Sequence, residues 1–324
     1  MRPKEIYKLI LNQRELDGNS FSKKYHSQFV DIACPACGCK GESAFKKFGF
    51  QHSKCPECNT MFCTPRPNNE LLSIYYNSYD SPKLWTDLLI KTGTERKALQ
   101  YQSRIEKIVS SIKSDGKNNG GVALDVGAGS GAFCVCLGKT NFFKEIIALD
   151  FSKDCVQSCQ DKGLTSKYGT IEDMDDNSVD IICINDLIEH LFDPFVFLNN
   201  CLRVIRKGGY LYISTPNGEG FDFKILKERT KNITPPEHLN YFNTNSMHKI
   251  LTDVGFKVKF IETPGILDAE IVLKEMESGF KIDTNNEYLD YLFKQDQEVL
   301  SNFQKFLSDN KLSSHMSIMA QKTI

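Results

Sequence analysis

The sequence predicts an α/β protein with a doubly wound parallel sheet, preceded by a small cysteine-rich module. Two stretches carry this prediction. Residues 122–134, VALDVGAGSGAFC, place an apolar strand directly before alternate glycines and the start of a helix, which is the strand–turn–helix opening of such a sheet. Residues 34–58, CPACGCKGESAFKKFGFQHSKCPEC, contain two Cys-x-x-Cys pairs separated by seventeen residues.

Composition and charge exclude several classes of protein. The 324 residues suffice for one large domain or two smaller ones. The net charge is −1, from 40 basic and 41 acidic residues, so no overall field attracts nucleic acid or an anionic membrane. Apolar runs such as IICI at 181–184 fall far short of the roughly 20 residues of a membrane span. The first residues lack the pattern of a secretory signal, and we expect a cytoplasmic location.

The cysteine cluster predicts a structural zinc ribbon. Two Cys-x-x-Cys pairs at this spacing are typical of zinc sites, because each pair supplies two thiolates to a tetrahedral ion from one turn of backbone. Reserve ligands are Cys39, Cys63 and His52; reduced thiols without metal and a redox dithiol are the alternatives. The predicted zinc ligands are Cys34, Cys37, Cys55 and Cys58.

The charge of the N-terminal segment bears on the role of this ribbon. Residues 1–66 hold eleven basic residues against six acidic ones, an excess that is compatible with nucleic-acid contact. The basic residues are interspersed, however, and lack the aromatic pattern of a base-stacking surface. The sequence therefore favours a structural or substrate-gating ribbon and leaves nucleic acid as an alternative.

Breaks in the pattern suggest the domain organisation. TPRPNNE at 64–70 is a natural boundary. The helical segment that follows places apolar residues at helical spacing, namely Leu99, Ile105, Ile108, Val109 and Ile112. The predicted parts are an N-terminal segment at 1–66 (ribbon core 34–63), a helical linker at 67–118, an α/β domain at 119–263 plus 313–324, and a helical insertion at 264–312.

The glycine turn fits two classes of ligand. A dinucleotide enzyme prefers G-x-G-x-x-G/A, which the turn satisfies if Ala132 takes the last position. The form D-x-G-x-G-x-G instead suits S-adenosylmethionine, whose ammonium group an acidic side chain binds. Asp150 ends the next apolar strand and suits the ribose hydroxyls of either ligand, or it caps the following helix. The turn comprises Asp125, Gly127, Ala128, Gly129 and Gly131.

Residues 169–217 favour the second ligand. GTIEDMDDNSVDIICINDLIEHLFDPFVFLNNCLRVIRKGGYLYISTPN resembles class I S-adenosylmethionine-dependent methyltransferases, especially small-molecule enzymes like the 3-demethylubiquinone O-methyltransferases. Lys207-Gly208-Gly209 replaces the more usual Pro-Gly-Gly of this family. The resemblance implies a Rossmann-like seven-stranded sheet whose last, antiparallel strand is LSSHMSIMAQK. CPxC…CPECNTMFCTPRP likewise resembles the ribbon of family members that include sugar C-methyltransferases and bacterial enzymes of surface-glycan pathways.

The resemblance also implies the cofactor site. Asp125 and the glycines would receive the aminoacyl end of S-adenosylmethionine, Asp150 the ribose, and the backbone around Ile171 and Glu172 the adenine. The implied cofactor-binding residues are Asp125, Gly127, Ala128, Gly129, Gly131, Asp150, Phe151, Ile171, Glu172, Asn185 and Asp186.

Histidines are the candidate catalytic residues. An oxygen or carbon acceptor usually loses a proton during methyl transfer, and histidine suits that work near neutral pH. We predict His238, in the loop after the fifth strand, as the general base, with Glu237 orienting it. His190 is a second candidate, and the alternative for it is a structural, hydrogen-bonded role. No catalytic role is expected for the histidines away from the motifs, His26, His52, His248 and His315.

The predicted function is O-methylation of a small molecule, such as a sugar, surface-glycan or lipid-linked precursor. The alternatives are C-methylation of a nucleotide sugar, RNA methylation with the ribbon binding substrate, and an inactive ribbon-type binding protein. Near-neutral charge argues against RNA, as does INDLIEH in the place of an NPPY-type motif. The intact acidic and glycine residues argue against inactivity. The insertion at 264–312 is either a helical pair packed on the sheet or a lid over the acceptor pocket.

Overall fold

The structure, a computed structural model, describes residues 4–280 and 287–323, apart from the side chains of residue 4 and residues 93–99. Its helices are α1 (Lys4–Tyr25), α2 (Asn69–Ser78), α3 (Asp80–Ser114), α4 (Ala132–Gly138), α5 (Lys153–Asp161), α6 (Pro194–Val204), α7 (Phe221–Leu226), α8 (Thr244–Val254), α9 (Asp268–Glu277), α10 (Glu287–Leu292) and α11 (Gln297–Asp309). Its strands are β1 (Glu42–Lys47), β2 (Phe50–Lys54), β3 (Met61–Cys63), β4 (Val122–Val126), β5 (Glu145–Asp150), β6 (Thr165–Tyr168), β7 (Val179–Asn185), β8 (Ile205–Pro216), β9 (Asn240–Tyr241), β10 (Phe256–Glu262) and β11 (His315–Lys322).

The central sheet has seven strands in the order β10-β11-β8-β7-β4-β5-β6. Strands β4 to β8 run parallel, whereas β11 is antiparallel to both of its neighbours. Strand β7 shows why these segments form the centre, because VDIICIN is buried almost throughout, as expected for a strand covered on both faces. The predicted Rossmann-like sheet and its antiparallel last strand are therefore confirmed.

Helices cover both faces of this sheet. On one face, α6 and α8 bury residues such as Leu198 and Ile250 against β7 and β8. On the other face, α3 buries Ile105, Ile108 and Ile112 beside α4. The segment predicted as a helical linker therefore contributes to the core, while the side chain of Leu99 lies outside the described residues. No helix in the described ranges is long and apolar enough to cross a membrane.

The cysteine-rich module forms a second sheet in the order β1-β2-β3-β9. Strand β9 does not belong to the module in sequence, since it follows β8 of the central sheet. It pairs antiparallel with β3 through Met61↔Tyr241 and Phe62↔Asn240. Helix α1, which the sequence analysis did not predict, lies against the module with Phe21 packed on Phe50. The module is therefore joined to the α/β unit by backbone pairing as well as by packing.

The helical insertion is anchored at its base by Asp268, the first residue of α9. The buried carboxylate accepts hydrogen bonds from the backbone N–H of Ser314 at 2.6 Å, from Gln304 Nε2 at 2.6 Å and from the hydroxyl of Ser313. Helices α7, α9 and α10 share an apolar cluster that includes Leu226 and Val272. The described part of the insertion thus contains three helices, α9 to α11, and this cluster joins it to α7. Both the helical pair packed on the sheet and the lid stay predictions.

The Asp268 anchor gives a stability prediction. Asp268→Ala removes the acceptor of several buried donors, so the free energy of unfolding should fall by about 2–4 kcal/mol. Glu270→Ala, on the same helix but half exposed, is the matched control and should cost less than about 0.5 kcal/mol. Urea unfolding followed by circular dichroism measures both values. Equal losses in the two variants would contradict the anchoring role.

Candidate functional site

The glycine turn after β4 forms an open cradle at the carboxyl edge of the sheet. Gly129 and Gly131 have φ values of +54° and +74°, in the left-handed region that favours glycine. A Cβ atom on Gly131 would lie 2.7 Å from Leu164 Cδ1 and 2.9 Å from Cys159 Sγ, so this glycine allows close packing against α5 and the residues that follow it. A Cβ atom on Gly129 would meet nothing within 4 Å. The turn therefore has free space at Gly129 for a ligand.

Asp150, at the end of β5, holds this turn in place. Its Oδ2 accepts a hydrogen bond from the backbone N–H of Gly129 at 2.8 Å, and its Oδ1 accepts one from Ser152 at 2.8 Å. Burial raises the pKa of the Asp150 carboxyl, against the lowering effect of these backbone donors. The N-cap of α5 is Ser152, so the alternative in which Asp150 caps that helix is wrong.

Asp125 and Asn185 meet because the carboxyl ends of adjacent parallel strands lie at the same edge. Asn185 Nδ2 donates to Asp125 Oδ1 at 3.3 Å. Asn185 Oδ1 in turn accepts from Arg104 Nη1 at 3.0 Å. Arg104, on α3, was not predicted as a site residue. The edge therefore presents one acid and one cation next to the glycine cradle.

Asp186 follows directly and is paired with a histidine from the last strand. His315 Nε2 lies 2.9 Å from Asp186 Oδ1, so this nitrogen must donate its proton to the carboxylate. Arg104 Nη2 lies 3.5 Å from the same nitrogen, which has no lone pair left to accept from it. The expectation that His315 lies away from the motifs is wrong, because β11 brings it to the edge from the end of the sequence.

The residues predicted to lie beside the adenine and ribose of the cofactor have two different environments. Phe151, next to Asp150, is 49% exposed and leaves a ring face for a ligand. The side chain of Ile171 is buried in the core, so only the backbone of its 3₁₀ turn and Glu172 can contact a ligand. Arg203 Nη2 lies 3.3 Å from the carbonyl oxygens of both residues and braces this turn.

His190 and His238 form a ring pair beyond the carboxyl end of β7. Their ring centroids are 4.6 Å apart, and the ring planes are nearly perpendicular at 84°. His238 Nδ1 lies 2.7 Å from the carbonyl oxygen of Asn232 and must donate to it, so Nε2 carries the lone pair. Tyr76, on α2, places its hydroxyl 3.0 Å from His190 Nδ1 and its ring against Phe151. The pair therefore adjoins the predicted cofactor edge.

Burial keeps both imidazoles neutral. It lowers the pKa of His238 to about 4 and the pKa of His190 well below its usual value. The nearby Arg14 guanidinium also lowers the pKa of His238. Both rings are consequently unprotonated at neutral pH, the state in which a histidine can accept a proton.

Glu237 has a different partner from the one predicted. Its carboxylate forms a two-point pair with Arg14 of α1, with Nε–Oε1 at 2.9 Å and Nη2–Oε2 at 2.6 Å. Although burial opposes the charge, Glu237 holds the pKa of the Arg14 guanidinium above its usual value. The prediction that Glu237 orients His238 is wrong, because the Asn232 carbonyl makes the contact that fixes the ring.

The four predicted zinc ligands converge at the tips of two equivalent turns. In one turn the N–H of Gly38 donates to the carbonyl of Cys34 at 2.9 Å, and in the other Asn59 donates to Cys55 at 3.0 Å. The four Sγ atoms all lie within 4.8 Å of one another, with 3.4 Å between those of Cys37 and Cys55. Tetrahedral zinc, with Zn–S bonds of about 2.3 Å, needs sulfurs about 3.8 Å apart.

Comparison with known proteins identifies the family. The sequence model of the methyltransferase-domain family matches residues 96–259. The chain belongs to this family. The match covers the C-terminal half of α3, the glycine cradle and the parallel strands β4 to β8, and it confirms the resemblance that residues 169–217 carry.

Three similar sequences place this methyltransferase-domain protein among known relatives. An uncharacterised protein of Methanocaldococcus jannaschii is 23% identical over 58% of this chain and 83% of its own length. A probable S-adenosylmethionine-dependent methyltransferase of Mycobacterium tuberculosis is 30% identical over 35% of this chain and 41% of its own. The ubiquinone biosynthesis O-methyltransferase of Methylococcus capsulatus is 29% identical over 29% of this chain and 43% of its own. The chain thus spans less than half the length of these two methyltransferases.

One solved structure supports the fold assignment of the methyltransferase-domain protein. A chain in the complex between the Haloferax volcanii Trm112 methyltransferase activator and a methyltransferase superposes with a TM-score of 0.51. The two chains are 16% identical over 74% of this chain and 98% of that one. At this identity the similarity concerns the fold alone.

The cysteine group of the methyltransferase-domain protein suits a cation chemically as well as geometrically. Burial raises the pKa of three of the four thiols. The pKa of Cys55 is lowered, because hydrogen bonds from its turn outweigh burial. Thiolates in such surroundings need a compensating positive charge. The reserve candidates lie outside this group, with His52 Nε2 instead 3.3 Å from Cys63 Sγ.

Several polar residues around the site could not be found from the sequence. Each lies in a helix, a loop or, for His315, at the start of β11, outside the cofactor motifs, and reaches the site only through the fold. Tyr76 stands in an aromatic-rich stretch, IYYNSY, which signals packing more readily than a site. The missed residues are Arg14, Tyr76, Arg104, Asn232 and His315.

Substitutions within the ribbon test the predicted metal site. Cys55→Ser should abolish metal binding and lower the thermal midpoint, because the remaining thiolates leave the ion under-coordinated. Cys39→Ser changes a ribbon cysteine outside the group of four and should retain one equivalent of metal and the parent midpoint. Elemental analysis and calorimetry measure these properties. Unchanged metal content in Cys55→Ser would argue against the assignment.

Proposed function

We propose that this protein transfers a methyl group from S-adenosylmethionine to a hydroxyl oxygen of a small molecule, such as a sugar, surface-glycan or lipid-linked precursor. We propose also that the four cysteines hold a structural Zn²⁺ ion. The observation that carries the function is the proximity of two features at one edge of the sheet. These are the cradle at Gly129, flanked by acids, and a neutral histidine pair connected to it by Tyr76.

The residues of the cradle fit each part of the cofactor. When bound, S-adenosylmethionine supplies a methyl group on a positively charged sulfur. Asp125 is the acid for its ammonium group, and Asp150 lies where ribose hydroxyls bind in doubly wound sheets. Arg104 provides a cation for its carboxylate, since a guanidinium forms strong charge-assisted hydrogen bonds with carboxylates. Among described residues Arg104 has no carboxylate partner within salt-bridge distance.

The histidine pair supplies the proton acceptor. Methyl transfer depends mainly on alignment of the acceptor with the methyl group and sulfur. His238 Nε2 would accept the proton that the acceptor hydroxyl loses as its oxygen gains the methyl group. The hydrogen bond to the Asn232 carbonyl fixes the ring and its tautomer, and Asp186 favours the resulting positive charge. His190 and Tyr76 form the adjoining wall.

The function is tested with labelled cofactor and a panel of acceptors. The panel contains nucleotide sugars, simple glycosides and phenols, and mass spectrometry locates any added methyl group. An O-methylated product supports the proposal. A C-methylated product would show that the acceptor atom is carbon and not oxygen. Failure to bind S-adenosylmethionine in calorimetry would overturn the function as a whole.

Arg104→Met tests the cofactor assignment. Affinity for S-adenosylmethionine should fall about ten- to a hundredfold, because one charge-assisted contact is lost. Affinity for 5′-methylthioadenosine, which lacks the amino-acid moiety, should change by less than about twofold. Lys107→Met, on the same helix but paired with Glu262, is the control. Equal loss of both ligands in Arg104→Met would show a general disturbance and contradict the assignment.

His238→Gln tests the general base. The turnover number should fall about 10²–10⁴-fold, because the acceptor hydroxyl keeps its proton, while cofactor affinity stays at the parent value. His248→Gln, at an exposed position on α8, should behave like the parent. Labelled-methyl transfer to the identified acceptor gives the rates. Full activity of His238→Gln would remove this residue from the mechanism.

A further inference from the structure

The backbone after His238 is hydrogen-bonded to the cysteine ribbon. Strand β9 is only two residues long and pairs with ribbon strand β3. Immediately before it, the carbonyl of Leu239 accepts a hydrogen bond from the N–H of Cys63 at 2.9 Å. Two residues after it, Asn243 Nδ2 donates to the carbonyl of Cys58 at 2.7 Å. The loop that presents His238 therefore ends on the ribbon at three successive points.

The side chain of Asn240 connects this strand to the turn that carries His190. Asn240 is 1% exposed, and its Nδ2 lies 2.8 Å from the carbonyl oxygen of Leu191. The carbonyl oxygens of Ile188 and Glu189 lie 3.4 Å from the same nitrogen. One buried amide thus reaches three carbonyl groups around His190.

Arg66, just beyond the ribbon, orients that amide. Arg66 Nη1 donates to Asn240 Oδ1 at 2.7 Å, and the guanidinium also donates to the carbonyl of Phe192. An arginine can only donate and a carbonyl can only accept, so the amide can face only one way. Arg66 is 2% exposed, and its guanidinium lies over the ring of Phe192. The amide is therefore fixed from both ends.

We propose that Asn240, oriented by Arg66, is the positioning residue that sets His190 and His238 against each other and makes the metal ribbon part of the acceptor site. The effect of this positioning on catalysis rests on the proposed function, in which His238 is the general base. The physical reason is that the two histidines lie on separate segments, 48 positions apart in the sequence. Asn240 is in direct contact with one segment and belongs to the other.

Replacement of the amide should loosen the pair. Asn240→Ala removes the amide from the carbonyl oxygens of Ile188 and Leu191 and from one arginine donor, while the Glu189 carbonyl keeps the N–H of Leu239. Buried polar groups that lose a partner recruit water. Water beside the rings reduces the burial that now lowers the pKa of His238 to about 4. That pKa should move up toward its ordinary value. The charged groups around the pair stay unchanged, namely Arg14, Asp186, Glu189 and Glu237.

Nuclear magnetic resonance of ¹³Cε1-labelled histidines measures this effect in the full-length, metal-loaded protein and needs no acceptor. His190→Gln and His238→Gln assign the two signals. In the parent, His238 should remain neutral down to about pH 4. In Asn240→Ala its titration should shift upward by at least about one pH unit, with S-adenosylmethionine affinity and metal content unchanged and the exposed His248 signal unmoved.

Asn217→Ala is the matched control. Asn217 is equally buried, and its amide donates to the carbonyl of Ser313 at 2.8 Å, away from the histidine pair. It should leave both histidine signals in place. Unchanged signals in Asn240→Ala, or the same shift in Asn217→Ala, would overturn the proposal.

A second variant covers failure of Asn240→Ala to fold. Arg66→Lys keeps the charge but loses the forked donor, and it should shift the His238 titration in the same direction; no shift would overturn the proposal. The experiment is separate from the test of catalysis. If His238→Gln retains full activity, the assignment of His238 as general base is wrong. The resonance measurements still decide whether Asn240 positions the two histidines.

Discussion

The parallel register of β4 with its two neighbours is the constraint on which the proposed cofactor-binding edge of the sheet depends. Asp125 is aligned with Ala148 of β5 and with Cys183 of β7, so the three strands finish within one or two residues of each other. Asp150 and Asn185 are consequently delivered to the same place as the glycine turn. The hydrogen bond from Gly129 to Asp150 then ties the turn to the adjacent strand and leaves its outer side open.

This edge could be predicted from sequence because its residues lie within or directly after buried strands. An apolar run that ends in Asp or Asn indicates both the strand and its carboxyl end. The cysteine spacing is equally local, since each Cys-x-x-Cys pair forms a turn of its own. For these residues, sequence neighbours are also neighbours in space, and the pattern alone predicts the grouping.

The remaining parts of the site depend on contacts between distant segments. Glu237 and His238 are adjacent in sequence, which suggested a catalytic pair. The carboxylate of Glu237 instead pairs with Arg14, which lies 223 positions earlier in the sequence. Helix α1 itself was missed because its packing surface is made by the ribbon and α2, through residues such as Phe21 and Tyr75. Pairing of β3 with β9 has no signal either, because a two-residue strand is too short to show a period.

Strand β11 has a consequence for the way this molecule is made. It is the last strand in the sequence, but it lies between β8 and β10 and pairs with both. On the ribosome, these two earlier strands emerge first and have no direct pairing with one another to complete. Until residues 315–322 arrive, each exposes a row of unpaired backbone groups, the kind of edge on which nascent chains aggregate. Closure of the sheet is therefore a late event in biosynthesis, and the same event brings His315 to Asp186.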